Sequence, residues 1–242
     1  MAEFKLPTEV VELPSKGLIY PEDNPLSSGK VEMKYMTAKE EDILSNQLYI
    51  EKGIVIDKLL QSLIVSDINY NDLIIGDKNA IMVAARILGY GKNYDFVYDG
   101  EEISLDLTTL DNKEIDEKLF SKGVNNFNYT LPTTDTEITF KILTHKDEKN
   151  IDREMEGLKK VSRESSSTVS TRLKHIITSV GGDSEPKSVR EFVDKYMLAQ
   201  DSRALRNHIQ TFQPDIDLTF FPSNGEGKKS IPIGLNFFWP DF

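Results

Sequence analysis

Cysteine is missing altogether from the 242 residues. That removes disulfides, thiol catalysis and every cysteine-based zinc or iron–sulfur site at once. Histidine is nearly as scarce. His145, His175 and His208 stand alone, and none has a second histidine or a carboxylate pair at the spacing of a metal-binding helix. Each is expected to pack or to lie on the surface, and neither a metal nor a cofactor is predicted. No apolar run reaches the roughly 18 residues of a membrane-spanning helix. The opening MAEFKLPTEVVELPSKG carries acids and prolines where a signal peptide has a basic flank and an apolar block. The expectation is a cytoplasmic protein, or one joining a particle assembled there, with no membrane partner.

Positive charge is in deficit as well: 29 Lys and Arg against 40 Asp and Glu give a net −11. Residues 144–190 hold ten bases and eight acids, +2, which leaves −13 for the remainder. An acidic surface repels phosphate backbones, so nucleic acid is not an expected partner. What is present is ordinary globular material. A 38% hydrophobic and 29% charged composition suits one large domain or two modest ones.

The chain is organised around Tyr70–Tyr94, YNDLIIGDKNAIMVAARILGYGKNY. Asp77 is predicted to N-cap a helix, its carboxylate accepting from the free amides of the first turn. Apolar residues at Ile81, Met82, Ala84, Ala85, Ile87 and Leu88 make a stripe broad enough to be buried on most sides. Gly89 and Gly91 bracket Tyr90 where the helix is expected to stop. Arg86 is the lone charge in the run. It is expected at an exposed edge or beside a carboxylate, with a ligand-binding arginine as the alternative.

Before that stretch, residues 1–30 contain Pro7, Pro14, Pro21 and Pro25, so regular structure is not expected there. Leu18, Ile19 and Tyr20 are apolar nonetheless. An extended arm lying along a surface, its own or a partner's, fits both facts. Lys30–Met36 alternates like a half-buried strand. Thr37–Glu40 reads as a capping box opening a helix, and Ile54–Val65 as a second amphipathic helix. After Tyr94 the period changes to two. Asp99-Gly100 sits between alternating flanks, a hairpin signal, and Phe127–Leu131 with Glu137–Leu143 form a second pair.

Thr144–Lys160 is a charged helix with a narrow stripe, Ile151, Met155 and Leu158, of the kind found on solvent-bridging helices and coiled-coil seams. Ser162–Thr171 is rich in Ser and Thr, a hinge candidate. Helices are predicted at Val169–Val180, at Ser188–Leu198 with a box from Ser188 and Glu191, and from a cap at Asp201 to Phe212. Strands close the chain, at Ile216–Phe221 and in IPIGLNFFWPDF.

Reactive chemistry is thin. Gly76-Asp77-Lys78 lacks the glycine frame of a phosphate loop. Asp215 and Asp217 would share one strand face and could seat a cation, but surface aspartates on an edge strand are the commoner case. The acids Asp99, Glu101 and Glu102 are ordinary turn residues. The anomaly is the end: Phe237, Phe238, Trp239 and Phe242 put the only tryptophan and three phenylalanines into the last six residues. So aromatic an end must dock, either in its own core or as anchors on a partner.

Three segments together carry a resemblance: ELPSKGLIYP (Glu12–Pro21), LIIGDKNAIMVAARILGYGKNY and IPIGLNFFWPDF. In this order the chain resembles the baseplate hub assembly proteins of T-even-type contractile-tailed phages. The resemblance implies a minor hub subunit or hub assembly factor with no enzymatic activity. It also implies hub or tape-measure proteins as partners, and the host cytoplasm or the virion baseplate as location. Some members of that family carry a cysteine-bearing, zinc-ribbon-like hairpin where this chain has YDFVYDGEEISLDL, so metal binding does not carry over. The other readings are a chaperone for the tape-measure or tail-tube protein, and a cation-dependent hydrolase using Asp215, Asp217 or the hairpin acids.

The expected architecture is α+β. It has an extended arm at 1–30, a core at 31–143, and a helical region at 144–242 with a hinge at 162–171 and a final strand returning to the core. Candidate partner-binding residues are Leu18, Ile19, Tyr20, Ile151, Met155, Leu158, Phe237, Phe238 and Trp239. Asp77, Arg86, Gly89 and Gly91 are candidate structural residues. A homo-oligomer is compatible with the ring symmetry of a baseplate.

Overall fold

The computed structural model describes residues 6–161, 168–222, 225 and 227–238. Over these residues the chain is α+β, with eight α-helices and small antiparallel sheets. Strand β1 (Thr8–Glu12) pairs with β2 (Lys30–Lys34), so the arm contains regular structure after all. Its prolines explain why that is allowed. Pro7 and Pro14 flank the strand, and Pro25 opens a 3-10 turn, Pro25–Ser28, where its missing N–H costs no bond. The intervening loop folds back on itself tightly. Gly17 has φ +76°, and a Cβ there would lie 2.3 Å from the Ser27 carbonyl oxygen, so only glycine fits.

Helix α1 (Ala38–Leu44) opens with the predicted box: the Glu40 carboxylate accepts from the Thr37 amide at 3.0 Å. Helices α2 (Gln47–Glu51) and α3 (Val55–Leu63) follow, α3 burying Val55, Leu59, Leu60 and Leu63. The central helix α4 is Ile75–Tyr90. The hairpin of β3 (Asn93–Tyr98) and β4 (Glu101–Asp106) turns at Asp99 and Gly100, both at positive φ. Strands β5 (Phe127–Thr130) and β6 (Glu137–Phe140) form the second pair as expected.

Helix α5 is His145–Val161 and α6 is Thr168–Ile176. The predicted helix to Val180 is cut short, because Ile177–Val180 forms β7 and adds to β6. That run is mostly β-branched, which favours a pleated strand. Its pairing also crosses the boundary drawn at 143/144, so core and helical region share one sheet. Helix α7 (Pro186–Lys195) starts at Pro186 rather than Ser188, since proline is preorganised for a first helical turn. Helix α8 is Ala199–Phe212. The last strands shrink to β8 (Thr219–Phe220) and β9 (Lys229–Ser230). The chain returns to the core as a 3-10 turn, Leu235–Phe238, instead of a strand.

One cluster of buried side chains runs from Leu13 through Phe238 and draws on every part of the chain. Helix α5, poor in apolar residues, is held by ion pairs as well. Glu148 takes both guanidinium nitrogens of Arg172. Glu154 accepts from Arg190 at 2.7 Å and faces His175 at 2.9 Å.

Candidate functional site

Helix α4 gathers the three segments that carry the resemblance. Asp77 is not its N-cap. The cap is Ile74, and Asp77 is the third helical residue, fully buried. Its carboxylate reaches across to the arm, accepting from the Ser15 amide at 2.9 Å, the Ser15 hydroxyl at 2.7 Å and the Tyr20 hydroxyl at 2.7 Å. The Tyr20 oxygen in turn accepts from the Ile74 amide at 3.0 Å. Burial pushes the Asp77 carboxyl up to about 6, against the pull of its Ser15 and Tyr20 donors. Burial and the neighbouring carboxylate likewise raise the Tyr20 phenol. The next residue, Lys78, pairs instead with Asp57 of α3 at 2.7 Å.

At its far end, α4 runs through Gly89 and Tyr90 before stopping at Gly91, where φ is +83°. Gly89 is therefore a packing position: a Cβ there would sit 2.7 Å from the Met36 methyl. Arg86 is not at an exposed edge. It is 2% exposed, and it donates to the backbone oxygens of Gly91 and Asn93, each at 3.0 Å. Its guanidinium also lies 5.5 Å from the Tyr90 ring centre and 5.9 Å from that of Tyr94. Gly91 is the C-cap of α4, and carbonyls at a helix C-terminus carry negative partial charge, which suits a guanidinium donor. Tyr94 then ties in the third segment. Its hydroxyl donates to the Pro232 carbonyl at 2.8 Å, and Phe237 meets its ring edge-on at 4.9 Å.

A second polar cluster was not legible in the sequence. Asp57 of α3 accepts from the Tyr70 hydroxyl at 3.0 Å and from Lys78 at 2.7 Å. Buried His145 places Nε2 3.3 Å from the other Asp57 oxygen, close enough for charge but not aligned for a hydrogen bond. Burial would raise the Asp57 carboxyl, yet His145 and Lys78 outweigh it and hold it well below the usual carboxylate range. The cluster borders a cleft of about 630 Å³, lined by Ile54, Asn79 and Met82 and by Lys149, Arg153 and Glu156 of α5. Chemically it is a tie: one carboxylate joins α3, α4, α5 and the turn at Tyr70.

The candidate partner-binding residues turn mostly inward. Ile19 and Tyr20 are 3% exposed, and Ile151, Phe237 and Phe238 are fully buried in this chain's own core. Leu18 and Met155 are partly buried against the same core. Leu158 alone reaches the surface, at 36% exposure. Trp239 lies outside the described residues, as does most of the Ser-rich stretch. Ile19 and Tyr20 of the arm and Phe237 and Phe238 of the aromatic end thus dock on their own molecule. Asp215 and Asp217 precede β8 and flank Ile216, which bridges to Asn112. Asp215 accepts from Asn79 at 3.0 Å and lies 3.4 Å from Lys113, while Asp217 takes Thr219 at 2.7 Å and Lys228 at 2.8 Å. Among the described residues, no group of three or more His, Asp or Glu is placed to hold a metal ion.

Compared with protein-family models, with curated proteins and with solved structures, the chain matches none.

Proposed function

We propose that this chain is a non-enzymatic baseplate hub protein of a contractile phage tail, a minor hub subunit or a hub assembly factor working through protein–protein contacts. One observation carries the reading. The segments whose order suggested the family, far apart in sequence, meet around α4 through Ser15, Tyr20, Asp77, Tyr94, Pro232 and Phe237. Their shared residues hold a shape, which is what a scaffold's recurring motifs are for. Of the carboxylates in the hydrolase alternative, Asp215 and Asp217 are engaged by side chains of this chain, which gives that reading no support. Partners are other hub or tape-measure proteins, met in the host cytoplasm during assembly and, for a retained subunit, in the virion baseplate.

The test is capture of tail proteins by a tagged chain from infected cells, paired with mass spectrometry of purified virions. Hub or tape-measure proteins in the capture support the reading. This chain's presence in virions then makes it a subunit, and its absence an assembly factor. Capture without any tail protein overturns it.

A further inference from the structure

Partner binding needs a surface, and Ile19, Tyr20, Phe237 and Phe238 are turned into this chain's own core. The sheet of β1 and β2 offers one. Two flanking bonds fix the phase of its ladder: the Tyr35 amide donates to the Pro7 carbonyl at 3.3 Å, and the Leu13 amide to the Gly29 carbonyl at 2.8 Å. With the register Thr8↔Lys34 to Glu12↔Lys30, residues 9 and 11 bond to β2. Thr8, Val10 and Glu12 direct their N–H and C=O groups away from it. The outer edge of β2 is covered, since Glu32 there accepts from the Val65 amide and donates to the Ser66 hydroxyl, both at 2.8 Å. No strand among the described residues pairs with the outer edge of β1.

An open edge is a template for another strand, and proteins usually guard it with lysine, proline or a bulge. The β1 sequence, TEVVE, has none of these within the strand. Val10 at its centre is 61% exposed. Its only charges are Glu9 and Glu12. Their existing partners, the Tyr35 hydroxyl at 3.1 Å and Lys30 at 3.2 Å, are exposed contacts of the weakly held kind. A strand bearing Lys or Arg opposite these glutamates gains cross-strand pairs that a second acidic copy, at net −11, does not offer.

We infer that the outer edge of β1 is a docking site for an extended, lysine- or arginine-bearing segment of a partner protein, added as a third strand beside Thr8, Val10 and Glu12. This deepens the hub reading and rests on it by naming the class of partner segment. Backbone bonds would supply the affinity, and the two glutamates the choice of partner.

The experiment is an amide-shift titration of the ¹⁵N-labelled full chain with two blocked pentapeptides, Thr-Lys-Val-Thr-Lys and Thr-Glu-Val-Thr-Glu, whose charges share the three-residue spacing of Glu9 and Glu12. The basic peptide is expected to shift Thr8, Val10 and Glu12, and the acidic one to bind about tenfold more weakly or not at all. Val10→Pro removes an outward N–H that β2 does not use, and is expected to abolish the shifts. The double variant Glu9→Lys with Glu12→Lys keeps the strand should the proline disturb it, and is expected to reverse the peptide preference. Four results overturn the inference: shifts elsewhere on the chain, equal binding of both peptides, no reversal in the double variant, or edge shifts that depend on protein concentration without peptide. The last would mark a second copy as the occupant. A failed titration leaves the hub reading to its own capture experiment, so the two failures are distinguishable.

Discussion

Asp77 ionises inside the fold with three uncharged donors, and burial outweighs them, so its proton is held more tightly folded than unfolded. A carboxyl raised to about 6 contributes stability that is fully present below the unfolded value near 4 and is lost as pH rises through 6. The size is on the order of 3 kcal/mol. Asp77→Asn is therefore expected to be most costly near pH 4, its deficit relative to the wild type shrinking by pH 7.5. Denaturant titrations at the two pH values check this, and a deficit that stays constant or grows with pH refutes it. Phe237 belongs at the same scale. With no exposure left, Phe237→Ala is expected to lose about 3–5 kcal/mol. Partner capture by the protein that remains folded should be unchanged. Lost capture at full stability would make the aromatic end a partner anchor. Sequence predicted that this end must dock, yet gave no choice of surface, because burial depends on groups far away in the chain. The caps at Asp77 and Asp201 misled for that reason too. Each sits third in its helix and reaches donors elsewhere, Ser15 and Tyr20 in one case and the Thr133 and Thr134 amides in the other.

At the scale of elements, two glycines in helices separate packing from propensity. Gly76 begins α4 against the 214–215 backbone, where a Cβ would fall 1.9 Å from the Pro214 oxygen. Gly157 lies inside α5 with nothing within 4 Å of such an atom. Gly76→Ala is expected to cost about 1–3 kcal/mol through forced displacement. Gly157→Ala should gain about 0.5–1 kcal/mol of helix propensity. Thermal melts of the two variants check the pair, and equal effects would contradict the packing of α4. Elements with a strong local signature were legible: the Thr37–Glu40 box, the Asp99-Gly100 turn and the alternation on both sides of it. Strand β7 was not, since a short apolar run fits helix and strand alike until β6 offers it an edge. The opening of α7 was missed because a Ser–Glu spacing outweighed Pro186.

Over the whole molecule, charge is arranged as ties between elements. Burial would raise the Glu40 carboxyl, but Lys34, Thr37 and Ser62 lower it to about 2. Arg190 brings Glu154 to about 2 as well, with burial opposing and His175 adding to the pull. Asp57, between α3, α4 and α5, lies below the usual range. Groups lowered in the fold contribute stability above their unfolded values and lose it as pH falls through the folded ones. The chain should therefore lose stability steadily from about pH 4.5 toward 2, while Asp77 works in the opposite sense from about 4 to 6. Melts monitored by circular dichroism are expected to peak in mildly acidic buffer, and a midpoint still rising from pH 6 to 8 would contradict the assignment. The same architecture, with Tyr20 and Phe237 tied into its core and an open β1 edge, is the basis for reading it as an assembly component. The most direct measurement is electron microscopy of lysates from phage in which this gene is interrupted. The account predicts heads and other tail intermediates without complete baseplates, restored by the intact gene. Normal tails in normal numbers would contradict it.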